Sequence, residues 1–460
     1  MDLTKITFED AVQKNLAYSA RQLDACQELF EIEPDLYFQN NVQRGLRDVN
    51  GNGVLVGLTN ISTVTSKRII DGRTVHIDGE LSYRGYRIND LMAGLANRSQ
   101  FGFEEIAYLL LFAELPDESQ LQEFKDIIAV NRTLPTNFVR DIILKAPNRD
   151  IMNSMTRSVL TLASYDPKMS DTSLENVLIQ SIKMIAQFPM LAVYAYHAYN
   201  HYEQNDSLYI HRPDPSLSMA ENILRMLRPD SSYTELEARA LDAALILHME
   251  HGGGNNSTFT TRVVTSSGAD TYSVLASALS SLKGPKHGGA NIKVMEMMAD
   301  IRAHVSDPED LDELDAYLNR ILHKEAFDRT GLIYGCGHAI YSLSDPRAVI
   351  LEQFAGKLAQ EKGLEKEYEL YQNVAARGLD LIRKQRRIYK GVCVNVDFYS
   401  GFVYSMLNIP VELYTPIFAM ARVVGWCAHR MEQLINEDKI MRPAYRSVSG
   451  ERPYIPIEKR

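Results

Sequence analysis

Gly284-Pro285-Lys286-His287-Gly288-Gly289-Ala290-Asn291 separates two apolar runs that both repeat at the helical period. Before it, Tyr272, Leu275, Ala276, Leu279 and Leu282 fall on one face of a buried helix; after it, Ile292, Met295, Met298 and Ala299 share a face of a second. Gly284 and Pro285 stop the first helix. The reading is helix, tight joint, helix, with His287 near the N-terminus of the second. The positive end of a helix disfavours an imidazolium. A neutral ring is therefore expected there, able to donate a hydrogen bond to a developing oxyanion. A glycine-rich turn that happens to carry a histidine is the competing reading.

The helical period governs most of the chain, so the fold class is mainly α. Residues 1 to about 48 read as amphipathic helix, with Leu16, Leu23, Leu29 and Phe30 among polar neighbours. Asn50-Gly51-Asn52-Gly53 is turn chemistry. From Val54 to Ile88 the chain is rich in Val, Ile, Thr and Tyr, with breaks expected at Asp71-Gly72 and Asp78-Gly79, which predicts short hairpin strands. Beyond Ile88, helix starts are expected at the capping boxes Asp117/Gln120, Thr172/Glu175, Ser218/Glu221 and Ser232/Glu235. Asp307-Pro308 reads as an N-cap followed by proline at the first helical position. A domain boundary is expected at Lys283 to Pro285.

The 460 residues exceed what one core usually takes, and suggest two or three domains. A net charge of −10 argues against a nucleic-acid binder. Anionic substrates would need a local arginine cluster acting against that field. Cys26, Cys336, Cys393 and Cys427 are widely spaced, with no C-x-x-C, which fits free thiols in a reducing compartment and provides no metal knuckle. The first residues lack the apolar core of a signal peptide, and no apolar run is read as approaching the roughly 20 residues a membrane helix needs. A cytoplasmic protein is expected, with no membrane and no nucleic-acid partner.

Three further stretches carry chemistry. In Leu247-His248-Met249-Glu250-His251-Gly252-Gly253-Gly254-Asn255-Asn256-Ser257-Thr258, the two histidines at i,i+3 would share a helical face. The spacing is not H-E-x-x-H and no third ligand is evident, so substrate binding is preferred to a metal or a purely structural pair. Tyr334-Gly335-Cys336-Gly337-His338-Ala339, followed by Asp345-Pro346-Arg347, places glycines around a histidine, as close backbone approach to a ligand requires; a plain turn competes. In Asn395-Val396-Asp397-Phe398-Tyr399-Ser400-Gly401, apolar neighbours would raise the pKa of Asp397 towards that of a general base. A helix N-cap is its bland alternative.

Taken together, in this order, the four stretches resemble the citrate synthase family, including its 2-methylcitrate synthases. The resemblance runs from Gly45-Leu46-Arg47 through Tyr83-Arg84-Gly85-Tyr86 to Arg442-Pro443. It implies an all-α homodimer with a short N-terminal β-hairpin region. A large domain would comprise 1–285 and 405–460, and a small mobile domain 286–404. The implied activity is an acyltransferase of the citrate (Si)-synthase type, acting in the tricarboxylic acid cycle. It condenses acetyl-CoA with oxaloacetate and hydrolyses the citryl thioester, with no metal and no redox cofactor. By resemblance, Asp397 is the base, His287 donates to the enolate oxygen, and His338 polarises the oxaloacetate carbonyl. His251, Asn255, Arg347 and Arg422 would bind oxaloacetate, with Arg442 reaching in from the partner subunit. CoA would lie against Ile333, Tyr334, Gly335 and Gly337, with Lys390 and the basic run Arg383-Lys384 near its phosphates; a solvated basic face is the equal alternative for that run.

Gly252 and Val394 depart from residues common in the family, which bears on loop geometry and not on the chemistry. The segment from Ser62 to Gly79 is longer than the family requires and has no assigned role. Propionyl-CoA in place of acetyl-CoA is the nearest alternative. Further off are a metal-dependent hydrolase using the histidines, and a non-catalytic CoA-binding paralogue.

Overall fold

The computed structural model describes residues 7–48, 52–98, 100–387 and 391–460. Asn50, Gly51 and Lys390, all singled out above, lie outside the described residues. Two compact units emerge, the first ending at Leu58 and the second running Thr59–Arg460. The first contains α1 (Phe8–Phe30) and α2 (Pro34–Gln39). Thr7 and Asp10 form a reciprocal capping box on α1, and Pro34 opens α2 at its first turn.

The second unit begins with a three-stranded antiparallel sheet, β1 (Ser62–Ile70), β2 (Arg73–Tyr83) and β3 (Tyr86–Arg87). Helices follow: α3 (Ile88–Arg98), α4 (Phe103–Phe112), α5 (Glu118–Asn131), α6 (Ile151–Ala163), α7 (Leu174–Gln204), α8 (Met219–Leu227), α9 (Glu235–His248), α10 (Asn256–Ser266) and α11 (Thr271–Leu282). After the joint come α12 (Ala290–His304), α13 (Leu311–Leu322), α14 (Pro346–Lys362), α15 (Glu365–Arg386), α16 (Val396–Met406) and α17 (Tyr414–Asn436). The fold is mainly α, as the periodicity requires. Helix α7 is long and apolar enough to span a membrane, contrary to the expectation that no such run exists; 78% of its apolar window is buried against protein. Helix α17 packs along α7, α9 and α10, while α16 packs against both α12 and α14.

Several local expectations shift by a residue or more. Asp71-Gly72 forms the hairpin turn, both residues at positive φ. Asp78-Gly79 does not break the chain; it lies inside β2, and the second turn is Arg84-Gly85. The reason is tertiary. Gly79 N–H donates to the Ser344 carbonyl at 3.1 Å, and a Cβ at Gly79 would sit 2.2 Å from that oxygen. The boxes at Asp117 and Ser218 form. Ser173, not Thr172, caps α7, and Thr234 with Glu237 replaces Ser232 with Glu235. Asp310 caps α13 in place of Asp307, because Pro308 lies in a turn before the helix.

Candidate active site

The joint between α11 and α12 is tight. A Cβ at Gly288 would meet the Leu282 carbonyl at 2.4 Å, so only glycine fits. His287 N–H donates to the Gly284 carbonyl at 2.8 Å, and Thr415 Oγ1 donates to the Gly288 carbonyl at 3.0 Å. The imidazole is held from α10: Ser257 N–H donates to Nε2 at 3.3 Å, with Ser257 Oγ at 3.0 Å. Trp426 Nε1–H donates in turn to Ser257 Oγ at 3.2 Å. A backbone N–H aimed at Nε2 makes that nitrogen the acceptor and leaves the ring proton on Nδ1. Burial first, and the Arg422 charge second, lower the His287 pKa to about 4. The ring is neutral at pH 7, and these two effects do what helix position was expected to do.

His248 and His251 do not share a helical face. Helix α9 ends at His248, and His251 lies beyond it in the turn. His248 Nδ1 is tied to the Ala244 carbonyl at 2.7 Å, and burial lowers its pKa to about 3. His251 is buried with Nε2 lacking any protein partner. Burial, then the charges of Arg347, His338 and Arg422, hold its pKa well below the usual value. Among the described residues no group of three His, Cys, Asp or Glu is placed to hold a metal ion. Glu250 anchors the turn, accepting from Ser62 Oγ and His429 Nε2 at 2.8 Å each and from Gly252 N–H at 2.6 Å. Asn255 is the N-cap residue of α10, and its Oδ1 accepts from Ser257 Oγ at 3.0 Å.

Two loops that are distant in sequence form a short antiparallel bridge. Cys336 faces Val394, Gly337 N–H donates to the Cys393 carbonyl at 2.7 Å, and Asn395 N–H to the Gly335 carbonyl at 2.9 Å. Gly335 is needed for this pairing, since its φ is +76° and a Cβ would meet Phe398 at 2.7 Å. The bridge joins the G-C-G-H stretch to the start of α16. There Asn395 is the cap, its Oδ1 accepting from Asp397 N–H at 3.0 Å. Asp397 is thus relieved of the capping role. Burial raises its pKa to about 6, opposed by Arg347 and Arg422 and reinforced by Asp345. Part of its surface remains accessible.

His338 accepts at Nδ1 from Ile340 N–H and Tyr341 N–H, both at 3.0 Å, which places its proton on Nε2. Its ring stacks on Tyr341 at 4.6 Å and meets His251 edge-on at 5.2 Å. Arg347, on the first turn of α14, forks onto Asp345 at 3.0 and 2.8 Å. Burial would raise the Asp345 pKa, but the Arg347 guanidinium holds it below the usual carboxylate range. Arg422 is fully buried on α17, donating from Nε to the His248 carbonyl at 2.6 Å and lying over the Phe418 ring. Its Nη1 has no protein partner, and burial lowers its pKa to about 10.

Arg422 lies over the Phe418 ring at 4.6 Å, and that ring meets His287 edge-on at 6.2 Å and His248 at 4.8 Å. Its charge bears on His251, His287 and Asp397, residues contributed by three separate segments. Arg442 lies on the exposed stretch without regular structure that follows α17, next to Met441, whose N–H donates to Ser266 Oγ. Ile333 is buried and Tyr334 partly so, beside the bridge. Arg383 and Lys384 are exposed, and Arg383 Nη2 donates to the Val392 carbonyl at 3.1 Å. Sequence reading gave no role to Ser257, Tyr341 or Asp345. Aspartate directly before a proline is the pattern that marks Asp345 as the cap of α14; for Tyr341 and Ser257 the local pattern holds no signal.

Residues 48–444 match the family model described as citrate synthase, C-terminal domain. The chain belongs to the citrate synthase family. It is an enzyme, an acyltransferase of the citrate synthase kind. It is 33% identical over 393 residues to the citrate synthase of Synechocystis sp., covering 84% of this chain and 91% of that one. It is also 33% identical over 384 residues to 2-methylcitrate synthase 2 of Corynebacterium glutamicum, covering 83% and 92%. Among solved structures, the citrate synthase of Thermoplasma acidophilum in ternary complex with carboxymethyl coenzyme A and oxaloacetate superposes with a TM-score of 0.74 at 28% identity, covering 91% of this chain and 99% of that one.

Proposed function

We propose that the chain joins the methyl carbon of acetyl-CoA to the keto carbon of oxaloacetate, then hydrolyses the thioester to give citrate and CoA. Asp397 takes the methyl proton while Nδ1–H of His287 donates to the thioester oxygen, and the resulting enolate carbon attacks the ketone. His338 donates from Nε2–H to the ketone oxygen as it becomes an alkoxide. Water then adds to the citryl carbonyl and the CoA thiolate leaves. A positioned base contributes about 10² to 10⁴-fold. An oxyanion donor adds on the order of 3 kcal/mol, and holding both substrates together supplies a further large term.

One observation carries this reading: Arg422 Nη1 and His251 Nε2 are buried without protein partners, in the same charged cluster as Asp397. Orphaned buried polar atoms are costly unless a ligand satisfies them. A dicarboxylate between Arg347, Arg422 and His251 would do so, with Asn255 nearby. CoA would lie against Ile333, Tyr334, Gly335 and Gly337. Residues 286–404 would form a mobile small domain that closes over oxaloacetate, and Arg442 would reach the partner's site in a homodimer. Neither a metal nor a redox cofactor is required.

The test is release of CoA thiol from acetyl-CoA, with and without oxaloacetate, and identification of the product. Release without oxaloacetate, or a product other than citrate, would overturn the reading. The equal identity to a 2-methylcitrate synthase keeps propionyl-CoA as a second substrate reading. One methylene is worth about 1–3 kcal/mol, so relative kcat/KM for the two thioesters decides. Small-angle scattering with saturating oxaloacetate tests closure, and sedimentation tests the dimer.

A further inference from the structure

The β1–β2 hairpin, without a role in the chemistry above, is irregular where it meets the loop that follows His338. Thr65 pairs with Glu80 and Lys67 with His76, so Ser66 alone faces Ile77, Asp78 and Gly79. Such bulges twist a strand and re-aim side chains. Here the irregularity turns both strands towards the loop behind His338. Ser66, only 2% exposed, donates from Oγ to the Ile340 carbonyl at 2.6 Å. His76 Nδ1 meets Ser342 Oγ at 3.0 Å. Ser344 Oγ donates to Asp78 Oδ1 at 2.8 Å, and Gly79 N–H donates to the Ser344 carbonyl at 3.1 Å. The loop is gripped at every second residue. At its base the same hairpin holds the His251 turn, with Ser62 Oγ on Glu250 and Tyr83 OH 3.0 Å from the Ile246 carbonyl and 3.1 Å from that of Glu250.

The Ser66 contact reaches furthest. The Ile340 carbonyl and Tyr341 N–H belong to one planar trans peptide and point in opposite directions. Ser66 grips one side; the other donates to His338 Nδ1 at 3.0 Å, sharing that nitrogen with Ile340 N–H at the same distance. We propose that Ser66 is a positioning residue for His338. It fixes the Ile340–Tyr341 peptide so that the imidazole keeps its proton on Nε2 and its ring aimed at the ketone. The proposal rests on the reading that His338 polarises the ketone of oxaloacetate. Hydrogen bonds in series also polarise one another, so the serine strengthens the hold on Nδ1.

The experiment uses full-length protein labelled with ¹⁵N-histidine, and bound oxaloacetate labelled with ¹³C at the ketone. Wild-type His338 is expected to show an unprotonated Nδ1 and a protonated Nε2. Ser66→Ala is expected to mix the tautomers, move the ketone resonance back towards that of free oxaloacetate, and lower kcat about fivefold with KM for oxaloacetate changed less than twofold, the scale of one neutral hydrogen bond. Should Ser66→Ala not fold, Ser66→Cys, nearly isosteric and a far weaker donor, carries the same expectation. A wild-type His338 protonated on Nδ1 would overturn the proposal, as would a variant whose His338 and ketone resonances match wild type. The histidine spectra do not depend on turnover. A wild type that fails to condense the substrates would sink the functional reading and leave the tautomer result standing.

Discussion

Replacing Asp397 with asparagine should cost activity and return stability. The carboxyl sits in a site that raises its pKa from 3.8 to about 6, chiefly by burial, against the pull of Arg347 and Arg422. At about 1.36 kcal/mol per pH unit, that rise corresponds to about 3 kcal/mol of destabilisation by the ionised form. Its side chain keeps part of its surface accessible, so solvent screening reduces this to about 1–3 kcal/mol. The sign follows from proton counting. Between pH 3.8 and about 6 the folded state binds more protons than the unfolded one, so stability falls as pH rises through that interval. Below it both states are protonated and nothing is lost; above it the full cost applies. Asp397→Asn removes the cost, so its stability gain should be absent near pH 3.5 and complete by pH 7. With an unfolding entropy of about 2 cal/mol/K per residue over 460 residues, the gain is on the order of 1–3 °C in Tm. The same variant should lose about 10² to 10⁴-fold in kcat. Thermal unfolding and steady-state kinetics, run side by side across pH, test both halves. Near-wild-type turnover, or a Tm difference that does not vary with pH, would refute the assignment of Asp397 as a buried base.

Other outcomes follow from the same contacts. Arg347→Leu should abolish tight oxaloacetate binding and also destabilise the fold by about 3–5 kcal/mol, because it leaves Asp345 buried and unpaired. Adding Asp345→Asn should recover most of the stability and none of the affinity, as read by Tm and calorimetric titration. Gly79→Ala should cost at least about 1–3 kcal/mol, since its Cβ would meet the Ser344 carbonyl at 2.2 Å and the Tyr341 ring at 2.6 Å; kcat should fall with it. The acid limb of kcat/KM for oxaloacetate should lie near pH 6, and that of kcat at higher pH; identical limbs would show that bound substrate does not alter the base.

Much of the fold and part of the site were legible because they rest on local rules. Periodicity and the Gly284-Pro285 stop place His287 in its joint, whereas the cap that the sequence offers at Asp397 falls two residues earlier, on Asn395. The two Asp-Gly pairs show where local rules end. Asp71-Gly72 turns the chain, whereas Asp78-Gly79 has the same chemistry and stays in the strand because Ser344 docks on it. Only the family resemblance points to Arg422, yet it lies in an apolar run, Ala419-Met420-Ala421-Arg422-Val423-Val424, where a charge must be buried. Ser66 and Ser257 carry no sequence signal at all. Their roles depend on a carbonyl and an imidazole supplied by segments far away in the chain.

The charges explain why the site can wait for its substrate. Arg347 and Arg422 place positive potential on His251, and Arg422 does so on His287. That potential, together with burial, keeps the rings neutral, and the His287 imidazole, fixed in one tautomer by the Ser257 N–H, is a directed donor that needs no reorganisation when charge develops. The same two arginines hold the Asp397 pKa below where burial alone would set it, so the carboxylate can exist at pH 7 before any ligand arrives. A dicarboxylate settling on those arginines would neutralise part of their field. Asp397 would then feel burial with less opposition, and its basicity would rise at the moment the second substrate's methyl group has to be deprotonated. On this account the order of events follows from electrostatics: oxaloacetate arms the base, and a thioester that arrives first meets a weaker one.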